Sequence, residues 1–83
     1  MSEAQVRERI ERIFRDIFDQ EALVLTNETS PSDIDGWDSA RQIDIVLAVE
    51  SEFGVRFTTA EVEAVESVGD IVALVIDKRA RAD

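Results

Sequence analysis

The sequence predicts an all-α domain, a bundle-like set of four helices with a long loop between the first two and a short third helix. Three observations lead there. Apolar residues near the start recur with the period of a helix. Ser or Thr stands three residues ahead of Gln, Glu or Asp before several apolar stretches. One Pro and three Gly are all that interrupt 83 residues. A chain of this length has room for one core, so residues 1–83 are expected to form a single domain. Its apolar fraction of 45% suits a globule rather than a disordered tail.

The first helix is read from Val6, Ile10, Ile13, Phe14, Ile17 and Phe18, whose spacing places them on one face. Ser2 with Gln5 makes a capping box at its start. Glu8–Arg12 and Glu11–Arg15 are i,i+4 pairs in the favourable order. From Asp19 to Asp38 the period lapses. Leu23, Val24, Leu25 and Ile34 are scattered among Asn27, Ser30, Pro31, Ser32 and Gly36, which predicts a long loop pinned by a few apolar side chains. Loops of that length are uncommon in small domains and often carry function.

The second helix is expected from about Ser39 to Phe53, with Asp38 or Ser39 as N-cap and Gly54 as the left-handed residue that stops it. Its apolar residues, Ala40, Ile43, Ile45, Val46, Leu47, Ala48, Val49 and Phe53, cover more than one stripe. Such a helix is either buried on most sides or keeps some side chains for a partner. Thr58 with Glu61 is a capping box for a short third helix, about Thr59 to Val65. Ser67 with Asp70 is another, opening a fourth helix whose inner stripe is Val68, Ile71, Val72 and Val75.

The net charge of −10 is unevenly spread. Residues 1–18 are neutral, and residues 78–83 carry Lys78, Arg79 and Arg81 against Asp83. Residues 19–77 hold fourteen acids against Arg41 and Arg56. Such a field repels nucleic acid and anionic lipid and attracts basic protein surfaces. No apolar run reaches the ~20 residues of a membrane span, and the mixed charges of residues 1–18 do not read as a signal peptide. The absence of Cys excludes a disulfide staple and fits a reducing compartment, and the default location is the cytoplasm; a monomer is expected.

No His and no Cys stand anywhere in the chain, so the usual base for activating a hydroxyl is missing and no catalytic residue is expected. Asp33, Asp35 and Asp38 invite a calcium loop, but an EF-hand register would put Pro31 first and Gln42 last, where carboxylates are needed. No dedicated metal site is expected. Attention falls instead on Ser39. It stands at the mouth of a helix among carboxylates, poorly equipped as a nucleophile but well placed to be modified by another protein. The plain alternative is that it only caps the helix.

Gly36-Trp37-Asp38-Ser39, followed by Ile43-Asp44-Ile45-Val46-Leu47-Ala48-Val49-Glu50-Ser51-Glu52-Phe53-Gly54-Val55, resembles the acyl carrier protein family. There an Asp-Ser-Leu motif opens the second helix, which closes on Leu-Glu-Glu-Glu-Phe-Gly-Ile. Val65-Glu66-Ser67-Val68-Gly69-Asp70 likewise resembles the family's Ile-Thr-Thr-Val-Gly-Asp, and the spacing from Asp38 to Asp70 matches without a gap.

The resemblance implies that a phosphopantetheinyl transferase attaches 4′-phosphopantetheine from coenzyme A to Ser39, flanked by Asp38, and that the arm then carries acyl groups as thioesters. The reactive sulfur would be imported, in keeping with a chain that encodes no Cys. The expected partners are that transferase and acyl-transferring, ligating or condensing enzymes with basic docking patches. Ala40, Arg41, Asp44, Leu47, Glu50, Glu52 and Phe57 are the implied contact residues, joined by Ile43 and, among the carboxylates that would meet basic patches, by Asp38, Glu61 and Glu63. Three positions depart from the family pattern. Ala40 replaces the leucine after the serine, Arg41 stands where an acidic or neutral residue is usual, and Ser51 replaces a glutamate. These departures point to a discrete carrier with dedicated enzymes, in a specialised lipid or secondary-metabolite pathway. Aminoacyl or peptidyl cargo, and an unmodified acidic helical interaction module, are the alternatives.

Overall fold

The computed structural model describes residues 1–81, so the Asp83 charge lies outside the described residues. Four α-helices succeed one another: α1 (Glu3–Phe18), α2 (Ser39–Phe53), α3 (Thr59–Glu63) and α4 (Val68–Arg81). Among the described residues there is no strand.

The helix ends follow the capping chemistry. At α1, Ser2 Oγ accepts the Gln5 N–H and Gln5 Oε1 accepts the Ser2 N–H at 2.8 Å. At α2 the choice of cap falls on Asp38, whose Oδ1 accepts the Arg41 N–H at 2.9 Å. Ser39 is thereby the first helical residue. Gly54 ends α2 at φ 65°, a conformation that costs a residue with a Cβ. Thr58 and Glu61 form their box at α3, which is two residues shorter than the expected Thr59–Val65. The Val65 N–H bonds back to the Val62 carbonyl, three residues away, and this tighter turn closes the helix. The expected Ser67–Asp70 box forms only by half. Ser67 Oγ accepts the Asp70 N–H at 3.4 Å, while the Asp70 carboxylate reaches past Ser67 to the Glu66 N–H at 2.8 Å.

The core lies where α1 packs against both α2 and α4. Val6, Ile10 and Phe14 of α1 meet Ile45, Val49 and Phe53 of α2 and Val68, Ile71, Val72 and Val75 of α4, all buried. Each such side chain contributes roughly 1.5–3 kcal/mol by leaving water. Ile13, Ile17 and Phe18, counted with the α1 stripe, are only partly buried and flank the seam.

The long connection is not structureless. Pro31–Asp33 forms a 3-10 turn that Ser30 and Asp33 box together, and Leu25, Ile34 and Trp37 are buried. Val24 does not pin the loop as expected: it is 70% exposed. Its neighbours Leu23 and Leu25 take the inward places, and the α1 pair Glu11–Arg15 clamps both. Glu11 Oε2 accepts the Leu25 N–H at 2.9 Å, and Arg15 Nε donates to the Leu23 carbonyl at 2.8 Å. Farther along, the Asn27 and Thr29 carbonyls accept the Gly69 and Val68 N–H groups, supplying acceptors for two of the otherwise unpaired donors of α4. A Cβ on Gly69 would lie 2.8 Å from the Asn27 oxygen, so this close approach requires glycine.

Candidate functional site

Ser39 is presented by the loop that precedes it. Trp37 is buried edge-on against Phe14, with ring centroids 5.1 Å apart, and its Nε1 donates to Gln42 Oε1 at 2.7 Å. One end of this tether is the core and the other is the first turn of α2. Asp38 then caps the helix, and Ser39 follows with its side chain exposed. The Arg41 and Gln42 amides are taken by the side chain and the carbonyl of Asp38. Among the described hydrogen bonds, the Ser39 and Ala40 amides have no acceptor. A phosphodiester on Ser39 would therefore meet two unpaired N–H donors and the positive end of the helix dipole.

Beside the serine opens a groove of about 630 Å³, lined by Pro31, Trp37, Asp38, Ser39, Gln42 and Ile43 on one side and Thr59, Val62, Glu63 and Val65 on the other. It lies between the start of α2 and α3. The far wall is fixed to the body of the protein, since Lys78 of α4 pairs with Glu61 at 2.8 Å. That bond, with the Thr58 N–H, holds the Glu61 carboxyl below its ordinary value of 4.5. A volume of this size suits a small organic group. Among the described residues no three carboxylates gather as a metal site would require.

The residues expected to meet partners separate into two sets. Ala40, Ile43 and Leu47 stand outward, the last two 59% exposed although fully apolar. The charged residues are engaged within the molecule. Arg41 pairs with Asp44 at 3.2 Å, Glu50 accepts the Phe57 N–H at 2.8 Å, and Glu52 pairs with Arg9 at 3.5 Å. Phe57 is half-buried against the core. Arg41 works against the helix it sits in. A cation in the first turn opposes the dipole by about 0.3–1 kcal/mol, while an exposed ion pair returns on the order of 0–1 kcal/mol.

Sequence reasoning did not identify the Trp37–Gln42 tether or the part of Val62, Val65 and Thr59 in the groove. The groove residues come from segments more than fifteen positions apart, and no local pattern joins them.

A helical scaffold that offers an exposed serine, two amides without an acceptor among the described hydrogen bonds and an adjoining groove suits a protein that carries a group on that side chain. Comparison with known proteins agrees. Residues 8–75 match the family described as the phosphopantetheine attachment site. An acyl carrier protein of Saccharopolyspora erythraea is 31% identical over 81 residues, covering 98% of this chain and 85% of that one. One from Thermotoga maritima is 41% identical over 54 residues, 65% of this chain and 67% of that one. The solution structure of a holo acyl carrier protein from Geobacter metallireducens superposes with a TM-score of 0.86 at 36% identity, covering 93% and 88% of the two chains.

The chain belongs to the acyl carrier protein family, whose members are carriers and not enzymes. Its prosthetic group is 4′-phosphopantetheine, and its interactions are with a phosphopantetheinyl transferase and acyl-handling enzymes. Among the described residues no helix is long and apolar enough to cross a membrane.

Proposed function

We propose that Ser39 Oγ is the attachment point of 4′-phosphopantetheine, and that residues 1–83 act as one discrete carrier domain, monomeric and cytoplasmic. The observation that carries this reading is the exposure of Ser39 at the first position of α2, beside two amides without acceptors. The residues fit the group. The N–H groups of Ser39 and Ala40, without acceptors among the described hydrogen bonds, would be available to a phosphate on Oγ, and the groove beside them has room for part of an arm or its cargo.

In the transfer, a bond forms between Oγ and the phosphorus of coenzyme A that bears the pantetheine. The bond to the nucleotide half breaks, and the serine proton passes to a base on the transferase. The chain itself presents the hydroxyl, holds it through Asp38 and Trp37, and stabilises the anionic product at the helix end. When bound, the group supplies a terminal thiol that holds acyl groups as thioesters. The apolar side chains Ile43, Val62 and Val65 along the groove favour an acyl over an aminoacyl cargo.

The exposed pair Ile43 and Leu47 supplies the apolar part of a docking face for the transferase and for acyl-transferring, ligating or condensing enzymes. Ala40 and Arg41 alter the ground next to the serine and support dedicated enzymes in a specialised lipid or secondary-metabolite pathway. Intact-mass measurement after incubation with coenzyme A, magnesium and a broad-specificity transferase tests the reading. A gain of one phosphopantetheine located on Ser39 by fragmentation supports it. Modification of Ser51 or Ser67 instead would refute it.

A further inference from the structure

Gln42 stands three residues after Ser39, a spacing that makes two side chains neighbours on one helix face. Both line the groove at the start of α2, and Gln42 is the only other polar residue within α2 that does so. The bond to Trp37 accounts for half of its carboxamide. An indole N–H donates and never accepts, so the 2.7 Å bond must be made to the Gln42 oxygen and not to its nitrogen. That bond settles which way round the amide is held, and the ring that holds it is only 6% exposed.

The other half of the carboxamide is the Nε2 group, turned away from the indole because the amide is planar. Nε2 has no acceptor among the described hydrogen bonds. No buried side-chain N or O among the described residues lacks a partner, so Nε2 is open to solvent. A glutamine at liberty to turn over would offer its surroundings an oxygen or a nitrogen. This one offers donors alone. A tether by itself needs only an acceptor, and a carboxylate would serve it as well. What a carboxylate would not supply is a donor beside Ser39.

An acceptor attached to Ser39 Oγ is the natural counterpart, and an anionic oxygen makes a hydrogen bond roughly twice as strong as a neutral one. Arg41 is the nearest cation in sequence, but residues two apart on a helix do not face each other, and its guanidinium is paired with Asp44 at 3.2 Å. We propose that Gln42 is a positioning residue for the prosthetic group. Locked by Trp37, its Nε2 donates to a phosphodiester oxygen of the arm on Ser39 and fixes the direction in which the arm leaves α2. The proposal rests on the reading of Ser39 as the modified residue.

The test is NMR of the full-length, isotopically labelled chain before and after loading with phosphopantetheine, with loading checked by intact mass. In the loaded wild type, a scalar coupling through the hydrogen bond links Gln42 Nε2 to phosphorus, and an Nε2 proton moves downfield on loading. Trp37 is the single tryptophan, so one indole N–H signal reports the tether, and its exchange stays slow in both states. Gln42→Glu separates the two roles. It keeps the indole signal protected, because a carboxylate still accepts that bond, yet the phosphorus resonance of the loaded variant leaves its wild-type position. Trp37→Phe lets the amide turn over, and the coupling falls. A loaded wild-type chain with neither coupling nor Nε2 shift would overturn the proposal and leave Ser39 as the attachment point. A phosphorus resonance unmoved by Gln42→Glu, with the indole still protected, would show that Gln42 is a tether only. A coupling undiminished in Trp37→Phe would overturn the lock. A wild-type chain that gains no mass on Ser39 would refute the reading of Ser39, and this proposal with it.

Discussion

Helices α1 and α2 are nearly equal in length, sixteen and fifteen residues, and both are capped at the start by a side chain of the residue before them. They differ in what they do with apolar surface. On α1, Val6, Ile10 and Phe14 are buried, with Ile13, Ile17 and Phe18 at the flanks, and the rest of the helix is charged apart from Ala4 and Gln5. α2 also commits one face to the core, through Ile45, Val49 and Phe53. It then sets Ile43 and Leu47 outside, where more than half of each stays in water. One helix is consumed by the fold. The other is shared between the fold and something beyond it.

The largest expected effect breaks the comparison at its functional end. Ser39→Ala abolishes addition of phosphopantetheine while leaving far-UV circular dichroism and the denaturant midpoint close to wild type, because an exposed hydroxyl without a partner holds nothing together. A residual mass gain in this variant would move the site elsewhere.

Packing comes next. Phe14→Ala is expected to cost about 3–5 kcal/mol, enough to unfold most of the population of so small a domain. Leu47→Ala should change stability by less than ~0.5 kcal/mol, since its side chain is already in water. Urea titration at constant slope measures both. Equal losses would mean that the outer face of α2 is packing after all.

A finer distinction lies among the α2 acids. Glu50→Gln weakens a charge-assisted bond to the Phe57 amide and should lower stability by about 1 kcal/mol. Glu52→Gln loses only an exposed pair with Arg9 and should fall within ~0.5 kcal/mol. Glu50 is thus a fastening of the α2–α3 connection, and reversing it to Lys would disturb the fold as well as any docking.

The smallest effect is in pH. Glu61 titrates below its ordinary 4.5 because Lys78 and the Thr58 amide favour its charged form. A depressed carboxyl stabilises the fold fully above the unfolded value, and that contribution is lost as pH falls through the lower, folded value. Lys78→Met should therefore move the Glu61 titration, followed by carboxyl carbon shifts, back up towards 4.5. It should also loosen α3, with little change at neutral pH elsewhere. An unmoved titration would mean that α3 is held by its apolar contacts alone.

The sequence by itself determined what depends on neighbours along the chain. The helix period of Val6 to Phe18, the boxes at Ser2 and Thr58, the stop at Gly54 and the motif around Ser39 all involve residues a few positions apart, so their chemistry is written locally. Tertiary structure decided whatever brings distant segments together. It sent Val24 outward while Leu23 and Leu25 turned in, and laid the Asn27 and Thr29 carbonyls on the first amides of α4. It also decided which apolar residues of α2 remain exposed and that its acids are already bound. Periodicity shows that a helix has more apolar surface than one stripe; only the positions of the packed neighbours show which part of it stays in water.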